Sequence, residues 1–419
     1  MLPKKKSIFL LVFLLGCFLC ACEKEETMIG ESLVEDKEEV SFTEETKNIE
    51  EEAEEQWNKG YDLLIDEEER EEAETDCRVM MDCIYDIYKE ADKGTALNVV
   101  LTDETVFAMQ GKLKDTGYPV TTTVMYSNME NYESVDSFLE HCMAGKRDSI
   151  IIYEIHVDGG IGRMKFAFDG TDMYVLNTRI MWNKNESCIS YMSYNRIKEW
   201  KYTDKGWFGY QVCVPEPPEV TEIVDGSRLI RIKPMTEEQR EMSIKCVQNV
   251  GYQGNNLLCS NWDSTCMEKL DYNGIYEYFY WMKYKERLDI EQYSDGIPQK
   301  EFEELMMEYL PVTVEEIRKY AVFDEDNQKY EWSRLGCLTY DLSYFGTAVP
   351  EVTNVKRNED GTVTLTVDAL CDMVICDDAV ITHELTVMFA EDGSFRYLGN
   401  EILNDGIKQI PEYRYRIIE

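Results

Sequence analysis

The sequence predicts an α+β protein with two lobes, each made of helices followed by an antiparallel sheet, behind a disordered acidic tether. Three observations predict this class. Apolar residues recur at steps of three and four after Cys77, which is the period of a helix. Between residues 149 and 214 they alternate instead and are divided by glycine turns, which is typical of strands. The same order of helical and alternating segments returns after Pro218, which predicts the second lobe.

The first 21 residues have the layout of an export signal. Lys4, Lys5 and Lys6 precede an apolar run, and no charged residue occurs between Ser7 and Cys22. A helix that spans a membrane needs about 20 apolar residues, and this run is shorter. We therefore predict a signal peptide over residues 1–21 rather than a permanent transmembrane helix.

The apolar run ends in a short motif that resembles the lipobox of bacterial lipoproteins. Leu19 stands three positions before Cys22, and the small residue Ala21 stands directly before it. The resemblance implies a thioether-linked diacylglycerol on Cys22, with fatty acids such as palmitate. Cys17 fits the same pattern and is the alternative; Cys22 is favoured because the charged segment begins directly behind it. Two acyl chains make a stable anchor, so we expect lipid attachment to the extracytoplasmic face of the cell membrane.

The chain is strongly acidic, with a formal net charge of −40. Residues 23–75 contain 23 acidic and five basic residues but few apolar ones. Such a segment repels itself and cannot bury enough apolar surface to become ordered. Residues 22–75, which begin with the acylated cysteine, are therefore predicted to be a tether. The charge also argues against nucleic acid as a partner, because phosphate backbones are repelled.

Eleven cysteines follow Cys22, an odd number that cannot all pair within one chain. This usage indicates an anaerobic host or a partial set of disulfides, since exported proteins of oxygen-exposed bacteria usually pair their cysteines. None of the eleven forms a Cys-x-x-Cys motif, and the histidines do not frame a ligand set with them. We expect buried free thiols and no metal site.

The first lobe is predicted over residues 76–215. An amphipathic helix begins at Cys77 and is stopped by Gly94, and a second helix covers residues 103–113. Strands follow at residues 151–155, 164–168 and 173–176. The first two of these strands are separated by an Asp-Gly-Gly turn that ends at Gly160.

The second lobe is predicted over residues 216–419. Pro215, Pro217 and Pro218 mark its start, because closely spaced prolines interrupt both periods. Helical segments are predicted at residues 272–284, at 298–309 and after a capping box formed by Thr313 and Glu316. Alternating strands return after Pro350, with a hairpin turn at Asp392-Gly393.

Three segments of the second lobe carry a resemblance to a known family. They are Gly251-Tyr252-Gln253-Gly254-Asn255-Asn256-Leu257, Thr382-His383-Glu384-Leu385 and Asp392-Gly393-Ser394-Phe395. They are similar to segments of an uncharacterised lipoprotein family of clostridial gut bacteria, of the Lachnospiraceae type. The resemblance implies a domain of unknown function over most of the chain beyond the tether, and an anaerobic habitat. It implies no activity and no site residues.

The sequence contains only weak matches to catalytic, metal-binding and phosphate-binding motifs. His383-Glu384 is half of a zinc-protease motif, but Val387 occupies the place of the second histidine and the pattern predicts a strand. Asp324 begins an acidic segment like a calcium loop, in which Lys329 replaces the required glycine. Gly159-Gly160-Ile161-Gly162 lies between two strands, which favours a hairpin over phosphate binding. No catalytic residue and no cofactor is predicted.

The most distinctive local feature is an aromatic segment between residues 272 and 284. Tyr276, Tyr280 and Tyr284, with Trp262 nearby, form a candidate surface for a peptide or glycan ligand. The helical spacing of the three tyrosines also fits a core stripe, and the sequence favours that interpretation.

These observations predict a surface lipoprotein that binds an envelope protein, peptide or glycan, or that helps to assemble the envelope. The alternative is a cell-wall or glycan hydrolase that uses paired carboxylates. With 83 acidic residues, some suitably spaced pair is nearly inevitable, so the composition alone does not favour the hydrolase.

Overall fold

The computed structural model describes residues 57–417, except residues 96, 185, 290, 336–346 and 372–378. The predicted signal peptide, Cys17, Cys22 and most of the tether lie outside the described residues. The described residues belong to one compact unit. Among them, no helix is both long and apolar enough to cross a membrane.

Three helices open the described chain: α1 (Glu67–Glu90), α2 (Asp103–Lys114) and α3 (Glu133–Met143). Helix α1 begins where the Asp66 carboxylate accepts a hydrogen bond from the Glu68 amide at 3.0 Å. Its buried positions follow the helical period predicted from Cys77 onward. The helix starts at Glu67, however, so residues 67–75 are helical and part of the folded body, not tether. The acidic composition of residues 67–75 concealed this first part of the helix. Its charged side chains lie on the exposed face of α1, and Ala73 is the only buried residue among residues 67–75.

A seven-stranded sheet follows, with its strands in the order β1 to β7. Strand β1 is parallel to β2, and the other neighbours are antiparallel. Helices α1 and α2 cover one face and α3 packs on the other. The strands are β1 (Val120–Thr122), β2 (Asp148–Ile155), β3 (Ile161–Phe168), β4 (Met173–Asn183), β5 (Glu186–Tyr202), β6 (Trp207–Val212) and β7 (Ser227–Arg231).

The first sheet continues beyond the prolines that suggested a boundary at residue 215. Pro215, Pro217 and Pro218 lie in the connection between β6 and β7, where no ladder hydrogen bonds are needed. Strand β7 then returns to pair with β6 from Trp207 to Gln211. The sheet therefore ends at Arg231.

Four helices and a small sheet make up the next part of the described chain. The capping box predicted at Thr313 is confirmed: its hydroxyl accepts from the Glu316 amide at 3.3 Å, and the Glu316 carboxylate accepts from the Thr313 amide at 2.9 Å. The elements are α4 (Glu237–Met242), β8 (Trp262–Asp263), α5 (Tyr272–Tyr284), β9 (Ile297–Pro298), α6 (Gln299–Tyr309), α7 (Val314–Tyr320), β10 (Phe323–Asp324) and β11 (Lys329–Tyr330). A π-helical turn covers Ser243–Val247, and 3₁₀ turns cover Met267–Lys269 and Gly406–Gln409.

The last sheet has five antiparallel strands in the order β12-β13-β14-β15-β8. They are β12 (Val349–Arg357), β13 (Val363–Leu370), β14 (Thr382–Phe389), β15 (Phe395–Ile402) and the earlier β8. The α+β class is confirmed: helices accompany a mainly antiparallel sheet in the first half, where β1 alone pairs in parallel, and an antiparallel sheet in the second half. The strand predicted for His383 is also confirmed: His383 is buried and Glu384 points the other way.

Buried ion pairs join the two large sheets. The Arg231 guanidinium on β7 contacts the Glu351 carboxylate on β12 in two places, one of them at 3.1 Å. The Lys205 ammonium lies 2.5 Å from the Asp368 carboxylate on β13. Glu351 and Asp368 are both almost inaccessible to solvent. Each buried carboxylate therefore depends on a cation that comes from the other sheet or its turns.

The expectation of buried free thiols is confirmed for some cysteines in both halves, but Cys188 is exposed and Cys83 and Cys266 are only partly buried. Cys77, Cys142, Cys213 and Cys246 are buried and form no disulfide. Burial raises the pKa of the Cys77, Cys142 and Cys246 thiols to about 12. These thiols are protonated at neutral pH and act as small apolar side chains. Cys337 and Cys376 lie outside the described residues.

Candidate ligand-binding site at the open end of the curled sheet

The seven-stranded sheet curls so that β3 and β6 face each other. The rings of Phe166 on β3 and Tyr210 on β6 lie 5.4 Å apart, centre to centre. In a flat sheet three strand intervals would separate them by about 14 Å. The long strand β5 makes the bend, because its first part pairs with β4 and its part beyond Ile197 pairs with β6. Helix α3 packs against the inside of the curl.

The inner face changes from apolar to charged along the strands. Ile150, Phe166 and Val175 form one cross-strand row, and this row belongs to the apolar interior. Four residues further along, the row is Glu154, Gly162 and Arg179, with Tyr191 on β5 as the next neighbour. Side chains two residues apart share a face, so both rows look into the curl. We call the charged end the polar mouth: Glu154, His156, Arg179, Tyr191, Tyr210 and Arg228.

Glu154 lies in a recess of the polar mouth. Loss of hydration is the largest influence on its pKa and raises it, yet about 30% of the side chain is open to solvent. Because Glu154 lies on the inner face of the curled sheet, its surroundings are concave. The His156 ring, 3.2 Å away through Nε2, and the charges of Arg228 and Arg179 outweigh the burial, so the pKa is lowered overall. Glu154 is therefore ionised at neutral pH.

Gly162 makes room for the histidine. A Cβ atom at this position would lie 3.3 Å from Nε2 of His156, closer than side chains normally approach. The missing side chain lets the imidazole lie over β3 and reach Glu154. The glycine that the sequence assigned to a hairpin is thus also part of the floor of the polar mouth.

Arg179 is held by the hairpin between β2 and β3. Its Nη2 donates to both carboxylate oxygens of Asp158 at 2.8 Å. Burial tends to raise the pKa of Asp158, but Arg179 and the Gly160 amide lower it overall. One buried atom of this region makes no hydrogen bond to any described residue: Nη1 of Arg179. Buried polar atoms without partners are uncommon, and a bound ligand or water would satisfy them.

Arg228 is the cation of the polar mouth that makes no close ion pair within the described chain, and its charged neighbour Glu154 acts on it beyond ion-pair distance. It is directly opposite Tyr210 in the β6–β7 pairing and is exposed. It makes no hydrogen bond or ion pair with a described residue. Burial raises the pKa of Tyr210, Arg228 opposes this, and the charges of Glu154 and Tyr191 add to it. All four side chains therefore approach one another across the curl.

The polar mouth offers charged and hydrogen-bonding groups that are suited to recognition. No described serine, threonine or cysteine side chain is hydrogen-bonded to His156 or Glu154. No group of three or more His, Cys, Asp or Glu side chains could hold a metal ion in the part of the chain that the structure describes. The arrangement is suited to holding a polar ligand by hydrogen bonds and charge.

The residues that the sequence proposed for ligand binding lie elsewhere. Trp262 is 2% exposed on β8, and its indole donates to the Leu257 carbonyl at 2.7 Å. Tyr276 is buried and stacks on Phe302 at 5.0 Å. Tyr280 is half-buried on α5.

Only the end of the tyrosine series reaches solvent freely. Tyr284 is 49% exposed, and its ring lies 4.6 Å from that of Tyr280. The structure thus joins the three tyrosines along α5, and no ring contact links Trp262 to them among the described residues. A ligand role for these four residues stays a prediction.

The polar mouth was not predicted from the sequence, because its residues come together only through the pairing of separate strands. Glu154, Arg179 and Arg228 are far apart in the chain and match no motif. The available signal was local: Ile150, Ile152 and Glu154 alternate on one face of a predicted strand, which places a charge where an apolar side chain is expected.

A second buried polar cluster surrounds His383. Its Nδ1 lies 2.5 Å from Oδ1 of Asn400, whose amide nitrogen donates to the Leu258 and Ser260 carbonyls. Nδ1 therefore carries the proton, and Nε2 accepts from the Tyr252 hydroxyl at 2.8 Å. Burial lowers the pKa of His383 to about 4. Both nitrogens are occupied in a fully buried ring, so the cluster holds the sheet together and is closed to a substrate.

The fold and the polar mouth define the class: an α+β protein with two large sheets, one of them curled around a charged recess. Residues 70–416 match the model of a family described as "Family of unknown function (DUF6070)". The chain therefore belongs to this family, and the expected domain of unknown function over most of the chain is confirmed. Comparison with curated proteins and with solved structures gave no match.

Proposed function

We propose that this protein is a non-enzymatic surface lipoprotein of a clostridial bacterium, and that it binds a polar envelope or extracellular ligand in its polar mouth. The anchor would be lipid on Cys22, or on Cys17, at the extracytoplasmic face of the cell membrane. The leader and the lipobox-like motif support this part. The partly exposed Glu154 on the inner face of the curl, with the exposed Arg228 that makes no close ion pair among the described residues, is the observation that carries the binding part.

The charges in the polar mouth favour binding over hydrolysis. A glycosidase of the common kind needs one carboxylic acid that keeps its proton, which requires a raised pKa. The pKa values of Glu154 and Asp158 are both lowered, because His156 and arginines lie beside them. These two carboxylates therefore give the hydrolase alternative no support, whereas ionised side chains are suited to hold a ligand.

The shape of the site indicates the size of the ligand. A recess between strands of a curled sheet takes up a small molecule or a chain segment, and a flat protein surface would not reach Glu154. A peptide segment or a glycan from the envelope fits this description. An envelope-assembly role would then act through such a segment.

Filling the recess tests the proposal. Gly162→Leu places a side chain on its floor, and Gly111→Leu, at an exposed helical glycine with no neighbour within 4 Å, is the matched control. Full-length protein in detergent would be heated with size-fractionated envelope and culture-medium extracts of the native host. We expect at least one small-molecule fraction to raise the melting temperature of the wild type and of Gly111→Leu, and not of Gly162→Leu.

Two results would speak against the proposal. One is that no fraction stabilises the wild type. The other is that an active fraction stabilises Gly162→Leu equally, which would place the ligand outside the polar mouth.

A further inference from the structure

We infer that the ligand of the polar mouth carries a carboxylate, and that Arg228 binds this carboxylate. The inference rests on the proposed function, because it names the chemistry of the ligand at the same site.

Charge pairing singles out Arg228 among the basic side chains of the polar mouth. Arg179 is bound through two contacts to Asp158, and His156 is bound to Glu154. Arg228 has no such partner among the described residues, although acidic side chains outnumber basic ones 83 to 43 in this chain. A guanidinium presents a planar fork of donors that matches a carboxylate in two parallel hydrogen bonds. The donors of Arg228 are available for that contact.

Cross-strand register directs Arg228 towards the recess. Arg228 pairs with Tyr210, and Tyr210 packs on Phe166 inside the curl, so Arg228 is on the inner face of β7. Its charge also reaches Glu154 on β2, at the other end of the sheet order. A side chain that pointed away from the curl would not act on both residues.

The surroundings favour a single negative charge over a phosphate. Ionised Glu154 lies close by and would repel a dianion more strongly than a monoanion. Phosphate sites commonly use a helix N-terminus or a nest of backbone amides, and the polar mouth is built from strands and a hairpin.

Neutral polar side chains lie next to the charged row. Asn177 and Ser193 are direct cross-strand partners on the same face and are half-buried. They can exchange hydrogen bonds with hydroxyl or amide groups. A sugar acid and the free C-terminus of a peptide share this chemistry: one carboxylate beside hydroxyl or amide groups.

Titration calorimetry on full-length protein in detergent tests the inference with defined probes. The acidic probes are glucuronate, galacturonate and the dipeptide Ala-Ala. The neutral counterparts are glucose, galactose and Ala-Ala amide. Binding of the sugar acids alone would assign the carboxylate to a glycan, and binding of the free dipeptide alone would assign it to a peptide. A further experiment needs no prior choice of ligand. It compares how much the active extract fraction raises the melting temperature before and after methyl esterification of its carboxylates.

Arg228→Gln is the test variant, and Arg287→Gln is its control because Arg287 is also exposed but lies outside the polar mouth. We expect esterification to remove the stabilising effect of the fraction. We also expect Arg228→Gln to weaken binding of the acidic ligand at least tenfold, with Arg287→Gln unchanged.

Equal stabilisation by the esterified fraction, or unchanged affinity in Arg228→Gln, would overturn the inference. If Gly162→Leu still abolishes binding in that case, the proposed function stands and only the carboxylate is wrong. If Gly162→Leu binds normally, both fail.

Discussion

The Tyr210 ring on β6 meets the Phe166 ring on β3 edge to face at 5.4 Å, although β4 and β5 lie between these strands in the sheet. This contact closes the curl of the first sheet. It brings the Tyr210 hydroxyl near Glu154 and Tyr191, and it places Arg228 of β7 opposite β2. The recess therefore follows from aromatic contacts inside the curl, which also include Phe166 with Phe208 of β6 at 5.5 Å.

Acid should destabilise the protein through His383. Its pKa is lowered from 6.5 to about 4, so between these pH values the unfolded chain binds more protons than the folded chain. The free energy of unfolding should fall across this window as the pH decreases, by up to about 3 kcal/mol from this residue. Urea unfolding of the wild type and of His383→Gln at pH 7, 6, 5 and 4 measures the effect. An equally steep pH dependence in His383→Gln would contradict the assignment.

Arg231→Met should destabilise the protein strongly. It leaves the Glu351 carboxylate, which is 2% exposed, without its cation in the joint between the sheets. Breaking a buried pair on one side costs about 3–5 kcal/mol. The control is Lys300→Met, which removes an exposed pair with Glu304 at 3.7 Å and should change stability by less than about 0.5 kcal/mol. Chemical unfolding compares the two, and similar small losses would show that the joint does not depend on Arg231.

The tyrosines of α5 should divide into a core residue and a surface residue. Tyr276→Ala removes a buried ring stacked on Phe302 and should cost about 3–5 kcal/mol. Tyr284→Ala removes a half-exposed ring at the end of the helix and should cost less than about 0.5 kcal/mol. Melting curves of the two variants give the comparison. A stable Tyr276→Ala protein would mean that the core of the second half is not packed as described.

The lipid anchor is tested by replacement of its cysteine. Cys22→Ser should abolish incorporation of a clickable fatty acid and release the protein or leave it unprocessed, because the diacylglycerol needs a thiol. Cys17→Ser in the same strain is the matched control and should label normally. Labelling that persists in Cys22→Ser and disappears in Cys17→Ser would move the anchor to Cys17.

Patterns between neighbouring residues predicted individual helices and strands, whereas pairing between distant strands determined how these elements form sheets. Alternation gave β2 and β3, and the Thr313 capping box gave the start of α7, because each depends on neighbours in the chain. Strand β7 follows Pro218 and joins the first sheet by pairing with β6, and this pairing is not visible in the local sequence. The prolines therefore suggested a domain boundary at a point where the first sheet continues. The start of α1 at Glu67 was hidden by its charged outer face.

The site was less predictable than the fold. His383 and Asn400 come from different strands, and so do Glu154 and Arg228, and no spacing in the sequence joins the members of either pair. The aromatic segment was visible because its residues are consecutive, and most of its rings are used for packing.

The central claim is that the ligand enters the polar mouth, and photo-crosslinking tests it most directly. A benzoylphenylalanine at position 191 would report on the polar mouth, and one at position 284 would report on the exposed end of α5. Both parent tyrosines are about half exposed, so the two probes are matched. After irradiation of cells of the native host, we predict a small-molecule or peptide adduct at position 191 that Gly162→Leu removes. An adduct at position 284 alone, or one at position 191 that survives Gly162→Leu, would contradict the account.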